Sequence, residues 1–249
     1  MHVKTKLIVL HRIPYSDSSW IVKAISAEQG IVSLLLKGAK RKESPFRGSL
    51  DPLSETEVVL HRSKTDLHIV KEAHLCNWFP SLRQGLVSLA EATVMAEVLL
   101  RFAPQGLPLF QEFSLLERQL ELLDTKGNSG NTFSQFLLEL SQIWGFAFNI
   151  GECGRCGCIL EKPPVSFEEE SGDVFCELCS SRRPTGRREE YLGDLFFFVK
   201  NQALLNPELT EMGILHYLKQ HLGLPQKEIR SLSWLQEARK LCSLHKKSV

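Results

Sequence analysis

Long apolar runs are missing from this chain. No stretch approaches the roughly 18 or more residues of a membrane span. The start, MHVKTKLIVLHRIPYSD, holds only the short apolar run Leu7–Leu10, broken at once by His11 and Arg12. A secretory signal needs a longer apolar stretch and a small-residue cleavage site, so a cytoplasmic protein is expected. Signatures of nucleotide chemistry and hydrolysis are absent too. There is no G-x-x-x-x-G-K-[ST] phosphate loop and no dinucleotide fingerprint. Nor is there a G-x-S-x-G elbow, an H-E-x-x-H, or an H-x-E ahead of a P-C-x-x-C. Acidic residues such as Glu55, Glu57 and Glu168–Glu170 read as solvated strand and loop faces. With no persuasive nucleophile or acid–base pair, the expectation is a protein that works by binding and not by catalysis. Net charge is small as well, at +1.

The distribution of charge is more informative than its sum. Residues 1–78 carry twelve Lys and Arg against eight Asp and Glu, and the remainder carries eighteen against twenty-one. The basic surplus therefore falls at the N-terminal end, where a nucleic-acid-binding face could sit. The same 78 residues read as strands: Lys6–His11, Trp20–Ser26, Gly30–Leu36, Glu55–His61 and Leu67–Ala73. They are short, aliphatic, partly alternating, and mostly separated by turn residues. Nothing between them is long enough for a crossover helix, so a small antiparallel barrel is expected. An OB-fold is the simplest such barrel, with an SH3-like barrel as the alternative.

After Pro80 the apolar spacing becomes helical. One helix is expected over Ser81–Phe102, with Ser81 at its N-cap, a second from Pro108 to Leu123, and a third over Thr132–Phe148. Three more, Tyr191–Leu205, Leu209–Leu222 and Ser231–His245, close the chain and need an apolar partner, most simply the helices at 81–148. The fold class is thus α+β. A five-stranded barrel domain at 1–79 precedes a helical domain at 80–249, which an insert at 150–190 interrupts.

That insert holds five of the seven cysteines between Cys153 and Cys179. Cys153-x-x-Cys156 and Cys176-x-x-Cys179 stand nineteen residues apart, the spacing of a four-thiolate zinc site. Cys158 could compete as a ligand, but Cys153 and Cys156 mirror the spacing of the second pair. Four thiolates leave no open position for water, so the metal is expected to be structural.

The other cluster is LKGAKRKESPFRGSLDP, residues 36–52. Lys37, Lys40, Arg41, Lys42 and Arg47 face only Glu43 and Asp51 in opposition. In an OB-fold, cations of this kind track phosphates while aromatics stack on bases. Phe46, Trp20, Tyr15 and Trp78 are candidate platforms, or else barrel core.

The KGAKR loop leading into Leu50-Asp-Pro52, the two cysteine pairs and the C-terminal helices with HYLKQHLG resemble the RecO family of bacterial recombination mediators. The resemblance spans essentially the whole chain. It implies an OB-fold that binds single- and double-stranded DNA, a helical domain and one structural zinc ion, without nucleotide hydrolysis. It implies annealing of complementary strands, a complex with RecR, and help to RecA in displacing single-stranded-DNA-binding protein (SSB), with RecF an indirect partner. SSB is expected to offer its acidic, Phe-ended tail to an apolar, basic-rimmed pocket in the helical region. Cytoplasmic, nucleoid-associated DNA repair follows. Carried onto this chain, DNA contact falls to Lys37, Lys40, Arg41, Lys42 and Arg47, and zinc to Cys153, Cys156, Cys176 and Cys179. Two other functions compete: a zinc-stabilised protein-interaction scaffold without direct DNA binding, and a zinc hydrolase or nuclease.

Overall fold

The computed structural model describes residues 2–46, 48–61, 66–127, 130–181, 190–201 and 204–246. Five strands form a closed barrel: β1 His2–Pro14, β2 Trp20–Ser26, β3 Gly30–Leu36, β4 Glu55–His61 and β5 Leu67–Asn77. Their order around the barrel is β1-β2-β3-β5-β4, closed by β4 on β1. All neighbours are antiparallel except β3 and β5. That parallel pair and the five-strand closure are the OB-fold arrangement, which settles the choice against the SH3-like alternative.

Three strands, β2, β3 and β4, keep the expected limits, because alternation marks them sharply; β3 alternates buried and half-buried along its whole length. β1 is longer than expected. It pairs with β4 through His2–Ile8 and with β2 through Ile8–Pro14, and a bulge between Val9 and His11 bends it from one neighbour to the other. Leu7, Val9, Val22, Ala24, Leu34, Val58 and Leu60 fill the interior.

Helices follow: α1 Pro80–Gln84, α2 Leu86–Phe102 and α3 Phe110–Thr125. The single helix expected over Ser81–Phe102 is in fact two. Gly85 sits in an extended conformation (φ −91°, ψ 114°) and breaks it. Ser81 is not the cap either. Pro80 takes the first helical position, and the backbone N–H groups of Ser81 and Leu82 donate to Asp124 Oδ1 at 2.7 and 2.9 Å. A carboxylate forty residues on does the work expected of a local hydroxyl.

α2 packs on β1, β2, α1 and α3, and on the C-terminal helix α8, Ser231–Lys246. It is accordingly buried on nearly every side, from Ser88 to Phe102. The α2–α3 connector also docks on the barrel: Leu109 N–H donates to Ala27 O at 2.8 Å. Gly30 (φ 68°) permits this approach, since a Cβ there would lie 2.1 Å from Leu107 O.

The remaining elements are α4 Thr132–Ile143, β6 Ser166–Glu168, β7 Asp173–Phe175, α5 Glu177–Ser180, α6 Tyr191–Asn201 and α7 Pro207–His221. α4 stops five residues before the expected Phe148. Gly145 (φ 80°) ends it, with Gly145 N–H on Gln142 O and Phe146 N–H on Ser141 O, a Schellman closure. The freed segment lets Phe148 pack on Tyr217 (ring centroids 4.4 Å apart) and Phe167 (5.9 Å).

Two compact units result: Met1–Asn128 with Ile229–Val249, and Ser129–Glu228. Within the first unit the barrel, α1, α2, α3 and α8 form one compact body. α2 and α3 pack on the barrel, and α8 returns to α2. Two acids hold α8 there. Glu91, fully buried, accepts from Arg239 Nη2 at 2.8 Å. Glu97 accepts from Ser231 N–H at 2.8 Å, Ser231 Oγ at 2.6 Å and Arg230 N–H at 3.1 Å, capping α8 from outside its own sequence.

Burial opposes ionisation of Glu97, but the hydrogen bonds from Ser231, Arg230 and Arg101 win and hold its carboxyl below the ordinary value. A lowered folded-state pKa gives stability that is present above the unfolded value and lost as pH falls through the folded one. Glu97→Gln should therefore lower the urea midpoint at pH 7 by the equivalent of about 1 kcal/mol. The gap from wild type should close toward pH 3 in the same titration. A gap that stays constant with pH would show that the Glu97 charge contributes nothing.

Candidate nucleic-acid interface and metal centre

The basic loop begins where β3 ends. Lys37 leaves the strand and Gly38 (φ 72°) turns the chain. Arg41 N–H then closes on Gly38 O at 3.1 Å, and Ser44 N–H on Arg41 O at 3.1 Å. Two successive tight turns thus place Lys37, Lys40, Arg41 and Lys42 together, and all four are exposed. Arg47 lies outside the described residues. None of the four joins an ion pair among the described residues. The neighbouring barrel cations do: Lys4 meets Glu57 at 2.8 Å, Lys6 meets Glu55 and Glu117, and Arg12 meets Asp51. The loop charges are therefore left for solvent or a ligand.

Lys40 differs from its neighbours. Its backbone N–H donates to Ser18 O at 3.0 Å, and its ammonium donates to Ser16 O. The same ammonium lies 4.8 Å from the centre of the Trp20 ring. Lys40 therefore clasps the β3–β4 loop to the β1–β2 loop, in addition to carrying charge.

The four candidate platforms separate. Trp20 and Phe46 pack partly against the barrel core. Trp20 also carries a second cation, with Arg12 Cζ 4.5 Å from its ring centre. Trp78 is covered by Arg83, whose Cζ lies 3.7 Å from its ring centre. Tyr15, 59% exposed in the β1–β2 loop, is the open one. Arg12 escaped the sequence reading. The β1 bulge sets it opposite the core residue Val22 and so on the inner side of the strand, and no local pattern marks a bulge.

In the other unit, the Sγ atoms of Cys153, Cys156, Cys176 and Cys179 all lie within 4.8 Å of one another. The first knuckle is a tight loop. Cys153 N–H donates to Cys158 O at 2.9 Å, and Gly157 N–H returns to Cys153 O at 2.8 Å. The second joins the end of β7 to α5, with Cys176 at the α5 N-cap. Gly154 N–H on Val174 O, at 3.0 Å, ties the two knuckles together. A tetrahedron of Zn–S bonds near 2.3 Å has edges of about 3.8 Å, and Cys156 Sγ lies 3.9 Å from Cys176 Sγ. The donor set thus fits a four-coordinate ion that prefers sulfur.

Burial pushes the Cys153 thiol up, but backbone N–H groups of Cys156, Cys176 and Arg155 outweigh it and bring it down to about 6. A buried sulfur already biased toward thiolate is suited to a metal. Cys158 lies outside the set of four. Its hydrogen bond with Cys156 comes first in pushing its thiol up to about 12.

A closed five-stranded OB barrel, followed by helices and a four-cysteine insert able to hold a metal, defines a class of OB-fold proteins with an appended helical body. The family described as Recombination protein O N terminal matches residues 1–79, and that described as Recombination protein O C terminal matches residues 83–189. Similar proteins include the DNA repair protein RecO of Rubrobacter xylanophilus, 30% identical over 183 residues, which are 73% of either chain. Another is the DNA repair protein RecO of Desulforamulus reducens, 28% identical over 178 residues, covering 72% of this chain and 69% of that one. The chain belongs to the RecO family. No helix among the described residues is long and apolar enough to cross a membrane.

Proposed function

We propose that this chain is a non-enzymatic recombination mediator that grips DNA, single- and double-stranded, with the loops at one end of its barrel. Lys37, Lys40, Arg41 and Lys42, with Arg47 beyond them in the same loop, meet phosphates. Tyr15 offers a stacking face. In this reading residues 1–79 are the DNA-binding domain, and 80–249 is the partner-binding body with its insert at 150–190. One zinc ion on Cys153, Cys156, Cys176 and Cys179 braces that insert. Bound strands are held for annealing to their complements. With RecR, the protein helps RecA onto DNA coated by SSB, whose tail it engages, and RecF acts further off. Such work belongs at the nucleoid, in the cytoplasm.

One observation carries the reading: a cluster of exposed cations without carboxylate partners among the described residues, on an OB barrel of the RecO family. Phosphate contact requires such unneutralised charge. The test is annealing of complementary labelled strands, naked and SSB-coated, at physiological salt. Acceleration in both settings is expected. Absence of micromolar binding to single strands would overturn the reading and leave the scaffold alternative.

A further inference from the structure

The β6–β7 turn and helix α7 enclose a cleft of about 600 Å³, well within the size range of ligand sites. One wall is apolar. Leu209 and Met212 line it from α7, together with Phe167, Tyr191 and Tyr217. Tyr191 lies flush because residue 213 is glycine; a Cβ there would stand 2.4 Å from the ring. Met212 is 54% exposed, a large flexible apolar side chain facing solvent beside an open cleft.

The opposite wall is acidic. Glu168, at the end of β6, and Glu169 and Glu170, on the turn after it, all line the cleft. The side chains of Glu168 and Glu170 are exposed. Among the described lining residues, His216 alone can become positive, and it stands 3.3 Å from Glu169 Oε1. Three neighbouring carboxylates repel one another, and an arriving cation relieves that repulsion.

Both walls are already in place. His221 Nε2 is 2.6 Å from Glu169 O, and Gly172 N–H donates to Glu168 O at 3.0 Å, so the turn is pinned to α7 and closed on itself. An acidic ligand tail would meet like charge here. A basic one with an apolar anchor would meet complement on both walls.

We propose that this cleft docks a basic peptide segment, seating one aliphatic or aromatic side chain on Met212 and the tyrosines while flanking lysines or arginines meet Glu168–Glu170. The segment belongs to a protein partner, and the site is separate from the loop that meets DNA.

The test uses the full chain and two fluorescein-labelled peptides, Arg-Arg-Leu-Phe-Arg-Arg and its charge-reversed form Glu-Glu-Leu-Phe-Glu-Glu, read by anisotropy at low salt. The basic peptide should bind with saturation below about 0.1 mM, and the acidic one should not. Glu168→Gln with Glu170→Gln should weaken binding about fivefold, and Met212→Lys should abolish it. All three substitutions fall on exposed positions, so folding is retained. Glu121→Gln, on an exposed position of α3, serves as the control for diffuse charge and should change nothing. Equal binding of both peptides, no binding of the basic one, or equal weakening by Glu121→Gln would overturn the proposal.

Discussion

Stripping the metal from the cysteine cluster should melt residues 150–181 as a unit. Apart from the rings around Phe167, the His221 contact with Glu169 O and the Lys200 bond to Leu160 O, little else holds them. β6 and β7 are three residues each, and an isolated two-stranded hairpin is marginal in water. The insert's buried apolar side chains are few, chiefly Ile150, Leu160, Phe167 and Val174. Ile159 and Leu178 point the other way, at 72% and 75% exposed. Structural zinc supplies on the order of 10 kcal/mol or more, larger than any packing available here. Hydrogen exchange with and without a chelator is the direct measurement. Amides of Cys153, Gly154, Gly157 and Leu160, protected by the bonds of the two knuckles, should exchange at near-unfolded rates once metal is removed. Barrel amides should keep their protection. Cys153→Ser should reproduce the loss, whereas Cys158→Ser should retain one bound metal per chain. Unchanged exchange after complete metal removal would show that the insert folds by packing alone.

Neutralising the loop should change how DNA affinity responds to salt more than any other surface substitution. Each phosphate contact with single strands adds about 0.7 to the slope of log K against log salt. The variant Lys37→Gln, Arg41→Gln, Lys42→Gln should make that slope shallower by about 2, with the loop still seated. Lys40 is left in place deliberately, because its ammonium and backbone both bind the β1–β2 loop. Removing it would confuse lost charge with a displaced loop. Fluorescence titration of a labelled oligonucleotide across a salt series measures the effect. A slope equal to that of the wild type would place the DNA site elsewhere on the molecule.

The barrel was legible because short aliphatic, β-branched runs are a local signal. Trp20–Ser26, Gly30–Leu36 and Glu55–His61 announce themselves by that composition and partial alternation, and turn residues bound them. Six helical stretches were legible, but not the break that makes the first of them two, the short α5, or the exact ends. An extended Gly85 breaks the first, whose leading turn is capped by the distant Asp124, and Gly145 stops α4 in a backbone closure that leaves Phe148 for another layer. Caps and closures depend on φ, ψ and distant partners, which spacing does not encode. Of the candidate interface, the sequence located the cations but not their division of labour. Only the fold shows that Lys40 is a clasp and that Arg12 lies against Trp20.

From residues alone one could state the strand positions, the four sulfurs that belong together, and a concentration of positive charge ahead of β4. Each of these is written in neighbours a few positions apart. The return of α8 to α2 through Glu91 and Glu97, and the meeting of Glu168–Glu170 with Met212, came only with the folded chain. An apolar stripe says that a helix must be covered. It does not say by what, because many surfaces satisfy the hydrophobic effect equally, and the choice among them is made by shape and by polar contacts, between residues more than a hundred apart in the first case and some forty apart in the second.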